Sequence, residues 1–319
     1  MNNTKPVKRI AIACQGGGSH TAFTAGVLTK ILEETEHKFK IVALSGTSGG
    51  AICAALTWYG LLTEDRAKAI QLLKAFWYDN TANSSWEMFF NDNLLATIRL
   101  ADLIPLLPTF NPNLYPSLGQ NLLKQLLEKY IDFGEIEKLL EKKSDLMCLI
   151  GAVNVLKGEF KVFKNQEITG DTILASAAVP ALFKAVHIGE EAYWDGLFSQ
   201  NPPVRELTTT NPDEIWIIKV EPRTIKKVPT TMEAVRDRRN ELTGNLSLEQ
   251  ELYFIQKINE FIVKYPEFAK SKYKPIEVRQ IEMLRDLDYA SKVDRNPTFI
   301  NDLKNYGEKQ ATLFFQQLE

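Results

Sequence analysis

A chain of 319 residues can hold one large domain or two moderate ones, and its hydrophobic content of 45% is enough to bury a substantial core. A charged content of 24% and a formal net charge of −2 are those of an ordinary soluble globular protein and give no footing for nucleic-acid binding. The three cysteines, Cys14, Cys53 and Cys148, lie far apart in apolar runs, a pattern that argues against a disulfide framework or a metal cluster and for reduced core thiols.

The first residues, MNNTKPVKRIAIAC, carry a few basic side chains and then an apolar run too short for a signal-peptide core. No later run reaches transmembrane length, so the protein is expected in the cytoplasm. Residues 7–14 predict a first strand. Gln15-Gly16-Gly17-Gly18-Ser19-His20 follows, and then an amphipathic helix with Phe23, Val27, Leu28, Ile31 and Leu32 on one face. A glycine run between a buried strand and a helix brings backbone N–H groups close to an anion. That anion is either a nucleotide phosphate or the oxyanion of an acyl-transfer intermediate. Thr21 stands where a dinucleotide fingerprint needs glycine, and no Gly-Lys-Ser/Thr closes a P-loop.

The stretch 40–60 is the centre of the chain. Ile41-Val42-Ala43-Leu44 predicts a buried parallel strand, and Ala51-Ile52-Cys53-Ala54-Ala55-Leu56 a buried helix. Between them stands Gly46-Thr47-Ser48-Gly49-Gly50. Strand, Gly-x-Ser-x-Gly and helix in that order make a nucleophile elbow, a strained turn across which side chains at positions 46 and 50 would collide. Ser48 would then face a helix N-terminus, where free N–H groups favour developing negative charge. This favours the oxyanion reading of the glycine run.

Residues 61–143 read as mostly helical and are rich in aromatic and aliphatic residues: Phe76-Trp77-Tyr78, Trp86, Met88-Phe89-Phe90 and Leu103-Ile104-Pro105-Leu106-Leu107-Pro108. Breaks fall at Asn111-Pro112-Asn113 and Tyr115-Pro116. The segment is either a helical subdomain with its own core or a lid and acyl-chain groove that keeps apolar surface for lipid. Helices near 119–130 and 134–142 lead to a buried strand at 146–153, with an antiparallel partner at 158–163. Thr172 to Pro180 predicts a short helix of small residues. Ala192-Tyr193-Trp194-Asp195-Gly196 puts an acid at a strand end, and Asp213 to Val220 gives one more strand.

Beyond about residue 222 strand signals vanish and helices dominate. Ser247-Leu248-Glu249-Gln250 has the spacing of a capping box and predicts a helix start. Arg236-Asp237-Arg238-Arg239 reads as a solvated face, and Pro297 opens a last helix through Phe315.

A serine hydroxyl needs a group that takes its proton. The chain has three histidines. His37 reads as a surface residue, His20 sits beside the glycine run, and His187 precedes Asp195, opposite to the Ser…Asp/Glu…His order of α/β-hydrolases. A Ser48–His187–acid triad therefore competes with a dyad in which Asp195 is the base. An aspartate of ordinary pKa ~3.9 is weakly basic, so the dyad requires a desolvated carboxylate. Much of the rate then falls to the oxyanion hole, where one donor is worth about 2.7–4 kcal/mol.

Gln15-Gly16-Gly17-Gly18 before a helix, Gly46-Thr47-Ser48-Gly49-Gly50, Ala175-Ser176-Ala177-Ala178-Val179-Pro180 and Asp195-Gly196 occur in the order found in patatin-like phospholipases, and residues 7–220 resemble that family. The resemblance implies an α/β fold, a three-layer sandwich with a central, mainly parallel sheet. It implies a catalytic domain over 7–221, within which 61–143 is the helical lid or acyl-groove insertion read above, and the helical C-terminal extension over 222–319 resembles that of a bacterial subgroup of the family. It lays a histidine-free dyad on Ser48 and Asp195 and an oxyanion hole on the amides of Gly16, Gly17, Gly18 and Gly49. The implied activity is hydrolysis of acyl esters in phospholipids and related lipids, through an acyl-enzyme and without metal or cofactor. Ser19-His20 stands where the family commonly has arginine or lysine, which makes His20 a candidate head-group contact, and Leu197 follows Asp195-Gly196. The implied partners are a lipid substrate and a peripheral membrane surface; the charge balance gives no nucleic-acid partner, and the C-terminal helices could pack on the core, cover the site or pair two copies in a homodimer. A catalytically silent lipid-binding scaffold is the reading from outside enzymology.

Overall fold

A computed structural model describes residues 7–101, 117–143, 145–180, 182–265, 267 and 273–318, with the side chains of 97–101 and 233 left aside. The expectations for Leu103 to Pro108 and for the breaks at 111–116 lie outside the described residues. The sheet has eight strands: β1 (Lys8–Cys14), β2 (Phe39–Thr47), β3 (Met147–Asn154), β4 (Glu159–Lys164), β5 (Val186–Ile188), β6 (Glu191–Asp195), β7 (Glu214–Lys219) and β8 (Glu277–Glu282). They run in the order β5-β6-β3-β2-β1-β7-β8, with β4 paired to β3. The pairs β3–β2, β2–β1, β1–β7 and β7–β8 are parallel, and those involving β4, β5 and β6 are antiparallel. The central strands are apolar on both faces because both faces are covered.

On one face Ile10, Ile12, Leu44, Cys148, Ile150 and Ile218 join a large core with α1 (Ala22–Glu33) and α2 (Gly49–Thr63). Both helices are buried nearly all round. That core takes in α3 (Arg66–Asp79), α5 (Leu118–Tyr130), α6 (Ile136–Lys142) and the last helix, α9 (Pro297–Gln316). On the other face Ala11, Ala13, Ala43, Leu149, Ile215 and Ile217 pack on Leu248 and Ile255 of α8 (Met232–Lys264). The three layers implied by the sequence are present, and residues beyond 222 supply much of two of them. Two further helices complete the order, α4 (Ser85–Ala101) and the short α7 (Gly170–Ser176).

Three expectations for the C-terminal part change. β8 is a strand where none was read: Glu277-Val278-Arg279-Gln280-Ile281-Glu282 carries charges because it lies at the sheet edge. The helix start expected at Ser247 is interior, since α8 begins at Met232 with Thr231 accepting from the Ala234 N–H, and the Ser247 hydroxyl donates to the Ser199 carbonyl instead. The charge run at 236–239 is not simply solvated. Asp237 bonds Lys292 at 2.6 Å, and Arg238 donates to the carbonyls of Pro222 and Arg223 at 3.1 and 2.8 Å. The tract Phe76-Trp77-Tyr78 divides, with the first two in the core and Tyr78 exposed.

The register of β3 brings the two ends of the chemistry together. β4 occupies one edge of residues 149–154. Its other edge is shared end to end: β2 pairs up to Thr47 opposite Gly151, and β6 pairs from Asp195 opposite Ala152. The chain leaves β2 at Ser48, and the vacated edge is taken by the strand that ends in Asp195.

α9 crosses α1 so closely that a Cβ on Gly307 would run into the Phe23 carbonyl and come within 2.9 Å of the Val27 nitrogen. Both obstacles are backbone and cannot swing away. Gly307→Ala is therefore expected to lower unfolding free energy by about 1–3 kcal/mol, read as a shift in denaturant midpoint; a midpoint equal to wild type would contradict this packing.

Candidate active site

Ser48 stands between β2 and α2 with φ 55° and ψ −130°, a strained backbone for a residue with a side chain. The tightness of the turn explains its glycines. A Cβ on Gly46 would meet the Gly50 carbonyl, and one on Gly50 the Cys14 carbonyl. The strain is held by α7. The Ser48 N–H donates to Ser176 Oγ at 3.0 Å, and the Ser176 hydroxyl donates to the Gly151 carbonyl at 2.6 Å. The small-residue helix thus supports the elbow with a hydroxyl as well as with close packing. Ser48 itself is 7% exposed.

Asp195 ends β6, fully buried. Its N–H donates to the Ala178 carbonyl at 3.0 Å, so the Ala177-Ala178-Val179 segment fixes its backbone. Oδ1 accepts the Leu197 N–H at 2.8 Å. This contact uses the Leu197 amide and not its side chain. Gly196, by contrast, is required, because a Cβ there would lie 2.6 Å from the Gly151 carbonyl oxygen. Oδ2 is buried and closes no hydrogen bond of ordinary geometry among the described residues. Burial pushes the carboxyl up to about 7; the Leu197 N–H and the Ser48 hydroxyl pull it down, and Glu221 adds to the rise. The Ser48 hydroxyl is thus near enough to pull the Asp195 carboxyl down, while Oδ2 closes no hydrogen bond among the described residues.

The glycine run lies against this pair. A Cβ on Gly16 would come within 2.8 Å of Ser48 Cβ. Of the four amides expected in an oxyanion hole, that of Gly16 is already engaged, donating to Asn201 Oδ1 at 2.7 Å. It is a structural anchor and not an open donor. The amides of Gly17, Gly18 and Gly49 have no hydrogen-bond partner among the described residues. Gly18 has φ +56°, which favours glycine, and Gly49 opens α2. Gln15 holds the run from below, accepting from the amides of Val220 and Glu221 at 3.0 and 2.9 Å and donating to Asn245 at 3.0 Å.

The histidines lie elsewhere in the chemistry. His20 is buried, and its Nε2 is 2.7 Å from Ser291 Oγ. Burial and the charge of Lys292 lower its pKa to about 3, which keeps it neutral. The ring expected to meet a lipid head group has its Nε2 engaged by Ser291, and the residue is 3% exposed. His187 is exposed on β5 opposite Ala192. His37 is half-buried, stacked on Phe315 at 5.3 Å. All three cysteines are buried free thiols whose pKa burial raises. Among the described residues no group of three His, Cys, Asp or Glu side chains is placed to hold a metal, and no helix is long and apolar enough to cross a membrane.

The family described as patatin-like phospholipase matches residues 12–208. No curated protein matches the chain. Among solved structures, VipD from Legionella pneumophila aligns over 98% of this chain and 67% of its own, at 12% identity and a TM-score of 0.47. The type III effector ExoU aligns over 96% of this chain at 17% identity and a TM-score of 0.38, and this chain covers 53% of it. A complex of ExoU with SpcU from Pseudomonas aeruginosa aligns at 14% identity and a TM-score of 0.36, covering 96% of this chain and 52% of that one. Both proteins are longer than this chain, and the family assignment stands on the match over 12–208.

The buried carboxyl makes a stability prediction with a definite sign. Its folded pKa of about 7 lies above the ordinary 3.8, so between those values the folded chain holds a proton the unfolded chain has lost. Stability then falls as pH rises through that window. Asp195→Asn is expected to raise the melting temperature more at pH 8 than at pH 4; an equal effect at both would mean the carboxyl is not desolvated.

Proposed function

Because the chain belongs to the patatin-like phospholipase family, we propose that it is a serine lipid acyl hydrolase of phospholipase A or lysophospholipase type, working through Ser48 and Asp195. The observation that carries the reading is the buried Asp195 carboxylate with Oδ2 unpartnered beside the Ser48 hydroxyl. Raised to about 7, this carboxyl is a far better base than an exposed aspartate and is partly ionised at neutral pH. Ser48 Oγ attacks the ester carbonyl while its proton passes to Asp195. The oxyanion is met by the amides of Gly17, Gly18 and Gly49, and the N-terminus of α2 adds a favourable field. Asp195 returns the proton to the leaving alcohol, which departs and leaves the acyl group on Ser48. Water deprotonated by Asp195 then releases the fatty acid. The imidazole of His187 is not needed for any of these steps.

A lipid surface is the proposed partner, met through α4. One side of that helix is anchored: Asn91 donates to Asp294 at 2.9 Å and accepts from the Arg295 N–H at 2.8 Å, and Leu95 is buried. The other side presents Trp86, Phe89, Phe90 and Leu94 to solvent, with Trp86 73% exposed. The three rings lie 6.0–6.4 Å apart. A contiguous aromatic face on a helix suits the boundary between water and acyl chains.

Ser48→Ala and Asp195→Asn are each expected to reduce hydrolysis of lysophospholipid by a thousandfold or more, an order of magnitude typical for loss of a nucleophile or its base. His187→Ala should retain most activity. Substantial turnover left in either dyad variant, or a comparable loss in His187→Ala, would refute the mechanism. Co-sedimentation with phosphatidylcholine vesicles tests the surface. Replacing Trp86, Phe89 and Phe90 together by alanine removes side chains worth about 1.5–3 kcal/mol each when buried, so binding should fall at least ~tenfold; binding equal to wild type would exclude this face.

A further inference from the structure

The short 3-10 turn Tyr289–Val293 is placed against the glycine run, though it is some 270 residues away in the chain. A Cβ on Gly18 would run into the Lys292 carbonyl, and Ser291 holds His20. The Lys292 ammonium, nearly buried, reaches Asp237 at 2.6 Å, Glu221 at 3.1 Å and Glu241 at 3.8 Å. Glu221 in turn lies under the same glycines, its Oε1 3.2 Å from where a Cβ on Gly17 would stand. Its amide is bonded to Gln15, the residue before the run. A buried cation with three carboxylates is costly to assemble, and nothing in the proposed ester hydrolysis uses it directly.

We propose that Lys292 and Glu221 are positioning residues of the active site, the ammonium fixing the carboxylate beneath Gly17 while the Lys292 carbonyl backs Gly18, so that the C-terminal part of the chain holds the glycine run against Ser48. The proposal rests on the Ser48–Asp195 reading given above.

The arrangement is electrostatic as well as mechanical. Asp195 feels the Ser48 hydroxyl, the Leu197 amide and the Glu221 carboxylate, and the last raises its pKa. Glu221 is faced by Lys292 from the turn and by Asp237 and Glu241 from α8. Arg238 bonds Glu241 at 2.9 Å, and His20 stays neutral. Burial works against charge on Lys292, but Glu221, Asp237 and Glu241 outweigh it and keep the ammonium protonated. Burial raises Glu221, Lys292 opposes that rise, and Glu241 and Asp237 add to it. Lys292 thus favours the ionised form of Glu221, the carboxylate that raises the Asp195 pKa.

The test uses the full chain and a soluble ester, with folding checked by circular dichroism. Lys292→Met should lower kcat roughly ten- to a hundredfold with KM little changed, the scale of a small misplacement of catalytic donors. Lys292→Arg should restore most of the loss. Glu221→Gln keeps the shape but removes the charge, so Asp195 should ionise more easily and the acid limb of the pH–rate profile should move to lower pH. A Lys292→Met enzyme with wild-type kcat, or a Glu221→Gln profile superimposed on wild type, overturns the proposal. Should Lys292→Met not fold, the Glu221→Gln profile decides alone. A wild-type protein that hydrolyses no ester would instead defeat the functional reading on which the proposal stands.

Discussion

One edge of β3 carries two strands end to end, and the proposed active site is the junction between them. β2 gives up the edge at Thr47 because the chain turns away through Ser48, and β6 takes it up at Asp195 on the next residue of β3. Residues far apart in sequence thereby become neighbours through backbone hydrogen bonds, without relying on flexible side chains. The positive φ of Ser48, the glycines that cross beneath it and the absence of a side chain at Gly196 all serve this junction. Moving the register by one residue would turn Asp195 to the other face of the sheet.

Burial at that junction is what makes a lone carboxylate useful. In water an aspartate is too weak a base to activate a hydroxyl well, and a histidine usually intervenes. Here the carboxylate gives up solvation on Oδ2 and keeps one backbone donor on Oδ1, so its affinity for a proton rises into the neutral range. In the proposed mechanism the desolvation that would be a liability elsewhere is the source of basicity. α8 contributes to the polar cradle of the glycine run through Asn245, and the turn before α9 closes it through Ser291 and Lys292. The C-terminal part is consequently built into the architecture of the site.

Much of this was legible in the sequence, where local pattern and three-dimensional role coincide. The apolar strand, Gly46-Thr47-Ser48-Gly49-Gly50 and the buried helix announce the elbow because the steric demand is confined to five residues. Asp195 at a strand end is likewise local. What escaped was decided by distant contacts. β8 has the composition of a solvated segment because it lies at the end of the sheet, where among the described residues one of its edges is paired. Ser247 has the chemistry of a cap, yet its hydroxyl was claimed by the Ser199 carbonyl. Gly16 looks like its two neighbours, and only the approach of Asn201 separates it from them. His20 was read as open to a ligand, and only the fold supplies Ser291. For Gln15 a signal did exist, since a polar residue closing a buried strand must find partners, and here they are the amides of Val220 and Glu221.

The central claim is that Ser48 is made nucleophilic by a desolvated carboxylate. The rate at which a fluorophosphonate labels Ser48, followed by intact mass across the pH range, reads that activation without any lipid or surface step. The account predicts a labelling rate that rises through a midpoint near 7, the value to which Asp195 is pushed. A midpoint near the ordinary carboxylate value of about 4, or a rate indifferent to pH through the neutral range, would contradict it.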